Sequence, residues 1–253
     1  MSVNFKNASI RNVTISPRIV YDSSLVLAID PANPVSYSGT GLIANNLIPP
    51  EDIFTLTNGA GYNSANGGVF TFAGDDDFIQ SNNSISHSLA NGFTLMQWVK
   101  LTTYAGGTYS QNILNPSDAT NNFINFYFGG SAKLRWEVHG GGNSIFSTSD
   151  VPLNTWTLLT GTMSTLSTPY TAPPDSYGIG TASIYLNGVL NGTPATRVAS
   201  PSSNNNIILG AYKSSSTSEY SNSIIGQTLF YTRELSAAEI LQNYNALRYR
   251  YGV

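Results

Sequence analysis

Short apolar runs follow one another down this chain, and turn residues end each of them within a few positions. Leu25–Asp30, Ile53–Leu56, Val69–Phe72 and Phe78–Ile79 come first, followed by Phe93–Leu101, Phe123–Phe128 and Lys133–His139. Trp156–Met163, Thr181–Leu186, Val189–Leu190, Ile207–Leu209 and Ile224–Tyr231 complete the series. Strands this short, closely spaced and separated by Gly, Asn, Asp and Pro, predict a sandwich or barrel. In Phe93–Leu101 the residues Phe93, Leu95, Val99 and Leu101 share one face at period 2. Met96 and Trp98 occupy the other, so both faces of that strand should be covered, one only partly. Asn187-Gly188 gives a two-residue primed turn, the strongest short-range hairpin signal.

Only the closing stretch reads as a helix. Ser236 stands at an N-cap position and Glu239 completes a capping box. Leu235 and Ile240 flank the cap as a staple, and Ile240, Leu241, Tyr244 and Leu247 form the apolar stripe. Leu229 and Tyr231 are expected to enter the sandwich, with the helix as a lid. At the other end, Val3, Phe5, Ile10, Val13, Ile15 and Ile19 alternate loosely around Pro17. Residues 1–22 therefore read as an extended arm or an edge strand, and 23–253 as one domain. Arms of this kind add a strand to a neighbour's sheet, so 1–22 is the expected assembly contact. Ser164–Gly180 carries three prolines and two tyrosines where a tight turn would suffice. Loops of that length are usually functional or disordered.

Composition removes several classes of function. A single all-β domain accommodates 253 residues. The 11 Lys and Arg are scattered and the net charge is −3, which argues against nucleic acid. There is no cysteine, hence no disulfide framework and no cysteine metal site. The opening MSVNFKNASIRNV has no apolar core of a secretory signal. No apolar run approaches ~18 residues, so no membrane insertion is expected.

Seven phrases together resemble a known family. They are LVLAIDPANPVSY, FTFAGDDDFIQ, FTLMQWVKL, TWTLLTGTM, ASIYLNGVLNGT, IILGAY and IIGQTLFYTRELSAAEI. In this order they are similar to a concanavalin A-like lectin/glucanase domain of the laminin-G/pentraxin type, over residues 23–253. The resemblance implies an all-β fold: a two-sheet antiparallel jelly-roll sandwich with one short C-terminal helix. The opening LVLAIDPANPVSY and the ending YTRELSAAEILQNYNALRYRYGV resemble versions found in structural proteins of tailed bacteriophages. That implies a non-enzymatic virion structural protein, a capsid decoration, fibre or tail surface module. It would be assembled in the host cytoplasm, displayed on the virion and held to other virion proteins through residues 1–22. A homo-oligomer and a host surface polysaccharide are the further partners implied. The alternative is a dedicated glycan-binding lectin or adhesin. A polysaccharide-cleaving enzyme is disfavoured, because the E-x-D-x-x-E carboxylates of glucanases of this fold are absent. The family often has an acid after the isoleucine of its closing strand. Gly226 and Gln227 stand there instead, which puts a calcium site relying on that acid in doubt.

The residues themselves offer little catalytic chemistry. Glycoside hydrolysis needs two carboxylates ~5 to 9 Å apart. Glu137 shares its strand face with Arg135 and His139, so a salt-bridged outer face is the expectation. Of the two histidines, His87 and His139, neither has a nucleophile elbow to serve, and both are expected at the surface. No cofactor is required. Calcium remains a candidate at Asp75, Asp76 and Asp77, with Asp118 and Asp175 weaker. The competing role for that triplet is a turn whose carboxylates cap backbone N–H groups. Tyr104, Tyr109, Tyr170, Tyr177, Tyr212 and Tyr220 fall in expected loops beside Asn, Ser or Asp. With Asp175 they are the candidate glycan contacts, or else part of a subunit interface, where Tyr is also enriched.

Overall fold

A computed structural model gives the coordinates. It describes residues 18–50, 52–112, 123–138, 143–167, 170–172, 175–199, 202–213 and 218–253. Residues 1–17 of the expected arm, Asp118 and His139 lie outside these.

The strands follow the apolar runs closely. The first six are β1 (Leu25–Ile29), β2 (Ile43–Asn45), β3 (Ile53–Thr57), β4 (Gly61–Asn63), β5 (Val69–Ala73) and β6 (Phe78–Ser81). Next come β7 (Ile85–Ser88), β8 (Phe93–Leu101), β9 (Gly107–Asn112), β10 (Phe123–Tyr127), β11 (Arg135–Glu137) and β12 (Ser144–Phe146). Then follow β13 (Thr157–Met163), β14 (Tyr170–Ala172), β15 (Asp175–Leu186), β16 (Val189–Leu190) and β17 (Ala195–Ala199). The last are β18 (Ser202–Asn205), β19 (Ile207–Leu209), β20 (Ala211–Lys213), β21 (Ser218–Tyr220) and β22 (Asn222–Tyr231), before α1 (Ala237–Tyr251).

Two antiparallel sheets result, as in a jelly-roll sandwich. The first runs β14-β15-β13-β8-β22-β5-β4, with β1 on β22 and β16 and β17 on β15. The second runs β12-β11-β10-β9-β19-β6-β3-β2. The pairs β18-β7 and β20-β21 stand apart. The Asn187-Gly188 turn has φ of 51° and 81°, the positive pair that the turn joining β15 to β16 needs.

Between the sheets lies a large apolar core, with Phe54, Phe70, Phe93, Tyr109, Phe126, Trp136 and Phe230 fully buried in it. A second cluster lies on the outer face of the first sheet. There Met96, Trp98, Trp156, Leu158, Leu229 and Tyr231 meet Leu235, Ile240 and Tyr251. The coverage of Met96 and Trp98 is thus supplied by the helix. Its N-terminus is built as expected: Glu239 N donates to Ser236 Oγ (3.3 Å) and Ser236 N to Glu239 Oε2 (2.8 Å).

The faces of β22 are the reverse of the expectation. Phe230 enters the sandwich, while Leu229 and Tyr231 turn outward under the helix. Ile225 pairs with Val99 and Thr228 with Gln97, so β22 holds one extra residue at Gly226-Gln227. A bulge of one residue moves every later side chain to the opposite face. The helix stripe also differs. Leu241 is 42% exposed, and Asn243 and Tyr251 are buried in its stead.

Two other readings change. Residues 18–22 do not stand off as an arm. Val20 N donates to Asn243 Oδ1 (2.7 Å), and the Tyr231 hydroxyl donates to Val20 O (2.9 Å). Arg233 bridges Asp22 and Glu239, each at 2.7 Å. Ser164–Gly180 is no open loop either. Tyr170–Ala172 pairs with Asp175–Tyr177, and β15 extends the hairpin through Gly180.

Candidate functional site

The outer face of the second sheet carries several polar groups among scattered apolar ones. Ladder pairing places Ile43, Thr55, Gln80, Ile208, Ser110, Asn125, Glu137 and Ser144 in one row across all eight strands. Their neighbours Phe54, Ile79, Leu209, Tyr109, Ile124, Trp136 and Ile145 point into the core, as period-2 alternation requires. The β20–β21 hairpin lies over the middle of this face. Tyr220 and Ala211 pack there with Phe78 and Ile208 and divide the row in two.

On the β3–β6 side the face is open. Thr55, Thr57, Phe78, Gln80, Ser81 and Asn82 line a depression of about 350 Å³. Thr55 Oγ1 donates to Asn82 Oδ1 (2.6 Å), and Ser81 Oγ accepts from Ile207 N (2.9 Å). These bonds fix the floor. The Gln80 amide in the centre is half-buried and makes no hydrogen bond among the described residues. A free amide donates and accepts, and hydroxyl groups ask for both. The Phe78 ring, with Tyr220 at 6.4 Å, gives the apolar wall.

Across the hairpin the row is closed: Ser110 and Asn125 are fully buried, with Ser110 Oγ and Asn125 Oδ1 left without a partner among the described residues, and Glu137 gathers the remaining polar groups. Glu137 takes Arg135 Nη2 (2.5 Å), Asn125 Nδ2 (2.7 Å) and Ser144 Oγ (3.3 Å). The expected salt bridge is present, but Glu137 is 5% exposed, so it is a buried anchor and not a surface pair. The Tyr127 hydroxyl donates to Glu219 Oε2 (2.8 Å), and its ring lies 5.5 Å from Tyr212. Burial and that hydrogen bond push the Tyr127 phenol up to about 12. Tyr127 thereby ties the hairpin to the sheet as a neutral donor.

The expected site residues scatter. Tyr109 sits in β9 and is completely buried, its phenol pushed up by desolvation; it offers no face to a ligand. Tyr104 does lie in a loop, but its hydroxyl donates to Val151 O (2.9 Å) and its ring packs on the core. Tyr170, Asp175 and Tyr177 belong to the β14–β15 hairpin, with Tyr170 opposite Tyr177. Tyr212 and Tyr220 sit in β20 and β21, and these two do reach the outer face. Asp77 is buried, with its carboxylate held by Ala73 N (2.6 Å) and Gly74 N (3.2 Å), the turn-capping role. Asp75 and Asp76 are exposed, and the Asp76 carbonyl accepts from Asn58 Nδ2 (3.3 Å), so the acidic turn sits at the Thr57 end of the depression. His87, expected at the surface, lies largely buried 5.9 Å from Phe230, and desolvation pushes it down to about 4.

Among the described residues no three His, Cys, Asp or Glu side chains come together as a metal site. At the closing strand, Gln227 Nε2 and Arg250 Nη1 both donate to Asp30 Oδ2, at 3.2 and 2.8 Å. Arg250 also binds Asn66 O (2.7 Å) and Gly68 O (3.0 Å). A calcium ion does not fit there, because a guanidinium already fills the oxygen nest.

Two antiparallel sheets packed in this order define a lectin-like β-sandwich fold. The model of the concanavalin A-like lectin/glucanases superfamily matches residues 73–241, and the chain belongs to that superfamily. No curated protein sequence matches it. Among solved structures it is similar to the botulinum neurotoxin type G receptor binding domain, at 19% identity and a TM-score of 0.56, over 88% of this chain and 51% of that one. Trypanosoma rangeli sialidase is similar at 13% identity and 0.59, over 92% of this chain and 34% of that one. Domain 4 of AbnA, an extracellular arabinanase of Geobacillus stearothermophilus solved with arabinotriose, is similar at 16% and 0.54, over 87% and 98%. The chain thus spans about half of the neurotoxin domain and about a third of the sialidase. At these identities the likeness is one of fold.

Thr57, Gln80 and Asn82 escape a reading of apolar runs, because those runs stop at Leu56 and Ile79. The signal is the alternation itself: Thr55 and Thr57 flank the inward Leu56, and Gln80 follows the inward Ile79 on the face of Phe78.

Proposed function

We propose that this chain is a non-catalytic carbohydrate-binding module and that a saccharide sits in the depression over Thr55, Gln80 and Asn82. The observation that carries this reading is the unpartnered Gln80 amide, set among hydroxyl and amide groups beside the Phe78 ring. Saccharides present hydroxyls and an apolar ring face, and a concave site with a few placed polar groups matches both. That AbnA domain 4 was solved with arabinotriose supports carbohydrate binding on this fold. The buried, fully engaged Glu137 supports a role without acid–base chemistry. A glycan array probed with multimerised protein tests the reading, since multivalency raises weak affinities. Wild type should bind a defined set and Gln80→Ala should lose it. No bound glycan, or full retention by Gln80→Ala, overturns the proposal.

Display on a phage particle, through residues 1–22 and other virion proteins, rests on the opening and closing phrases of the sequence. Deletion of residues 1–17, which spares the docked Val20, should abolish incorporation into particles and leave glycan binding intact. Particles that still carry the truncated protein would contradict it.

A further inference from the structure

Among the described residues, acids stand at both ends of the depression and no cationic side chain lines it. Asp52 precedes β3 at one end, where Asn82 N donates to Ile53 O (2.8 Å). Asp75 and Asp76 stand at the other, exposed. None of the six lining residues is charged. Five described cationic side chains are committed elsewhere: Arg135 to Glu137, Lys133 to Asp150, Arg197 to Ser144 O, and Arg233 and Arg250 to carboxylates at the helix. Recognition of a sugar carboxylate or sulfate depends on charge-assisted donors, with Arg forks foremost. Here the described charges at the two ends have the opposite sign, and like-charge juxtaposition is how a site rejects a competing ligand.

We infer that the depression selects uncharged saccharides and excludes acidic ones, sialylated, uronate-containing or sulfated. This rests on the carbohydrate-binding reading above and adds the ligand class. Gln80 and Thr55 supply neutral hydrogen bonding to hydroxyls, and Asp75 and Asp76 supply the rejection. Rejection by exposed charges is screened by salt, so it has a signature that shape-based selectivity lacks.

The test is an array pairing neutral glycans with their sialylated or uronate-containing counterparts, read with multimerised protein at physiological and at ~1 M salt. Neutral members should bind about tenfold or more tightly than their acidic partners, a difference that narrows at high salt. The double variant Asp75→Asn/Asp76→Asn, both exposed, should narrow it at physiological salt as well. Acidic members bound as well as neutral ones, or a gap that neither salt nor the double variant changes, would overturn the inference and leave carbohydrate binding standing. An array with no bound member, or binding indifferent to Gln80→Ala, would overturn both.

Discussion

The Tyr251 hydroxyl accepts the backbone N–H of Gln227 (2.9 Å) and fills the space that a Cβ on Gly226 would need. The last turn of the helix therefore satisfies the bulge that reverses β22. The Tyr251 ring is itself held between Trp98 (4.3 Å) and Trp156 (4.6 Å). Gly226→Ala should cost about 1–3 kcal/mol by overpacking. Tyr251→Phe should cost about 1 kcal/mol for the lost hydrogen bond. The two should be less than additive in urea denaturation, because removal of the hydroxyl makes room for the methyl. Strict additivity would mean that the two residues are not coupled.

Arg250 closes the same region by binding Asp30, Asn66 O and Gly68 O. Both partners of the ion pair are largely buried, with side-chain exposures of 17% and 12%. Removing one partner of such a pair leaves a buried charge, so Arg250→Ala should cost about 3–5 kcal/mol. Calcium should not raise the wild-type melting temperature. A rise of several degrees with calcium would contradict the guanidinium's role in the nest.

These contacts also show how far the fold could be read in advance. Phe93–Leu101, the Asn187-Gly188 turn and the Ser236–Glu239 capping box were legible because each is a local pattern with a physical cause. The faces of Leu229 and Tyr231 were not, since a bulge at Gly226 depends on Tyr251, 25 positions later. The candidate site was hidden differently. Thr55 lies on one strand and Gln80 and Asn82 on and just past another, and only sheet register brings them together. The tyrosines looked like loop residues because Ser, Asn and Gly surround them, yet Tyr109 and Tyr212 are in strands.

Gln97 joins the two sheets from inside the core. Its Nε2 donates to Thr108 O in the opposite sheet and to Thr228 Oγ1, each at 3.2 Å. Its own Oε1 is buried without a partner, whereas Thr108 O also accepts from Gly210 N (3.0 Å). Replacing the amide by a similar apolar shape therefore loses little. Gln97→Leu should stay within about 1 kcal/mol of wild type. Gln97→Ala should cost about 2–4 kcal/mol through the cavity it leaves. Equal costs for the two would show that the inter-sheet hydrogen bond, and not packing, is what matters.

Acid should destabilise the protein in two separable windows. Desolvation pushes His87 down to about 4 in the folded chain from its ordinary 6.5, so the unfolded chain binds its proton first. Its contribution is complete above pH 6.5 and lost as pH falls towards 4, up to about 3 kcal/mol. Glu239, held by Arg233 and the Ser236 cap, is lowered from 4.5 to about 2. Its contribution is complete above about pH 4.5 and lost on the way to 2, worth about 1 kcal/mol after allowance for solvent screening. Stability measured in urea from pH 7 to 3 should lose its upper slope in His87→Leu and its lower slope in Glu239→Gln. Unchanged slopes in both would refute the assignment.

The proposed binding face can be tested directly by recording amide chemical shifts while arabinotriose or a neutral array hit is titrated in. Shifts gathered at Thr55, Thr57, Phe78, Gln80 and Asn82, and absent in Gln80→Ala, are what a saccharide on the outer face of the second sheet produces. Shifts gathered at the β14–β15 hairpin or beside Tyr104, with the β3–β6 amides unmoved, would contradict it.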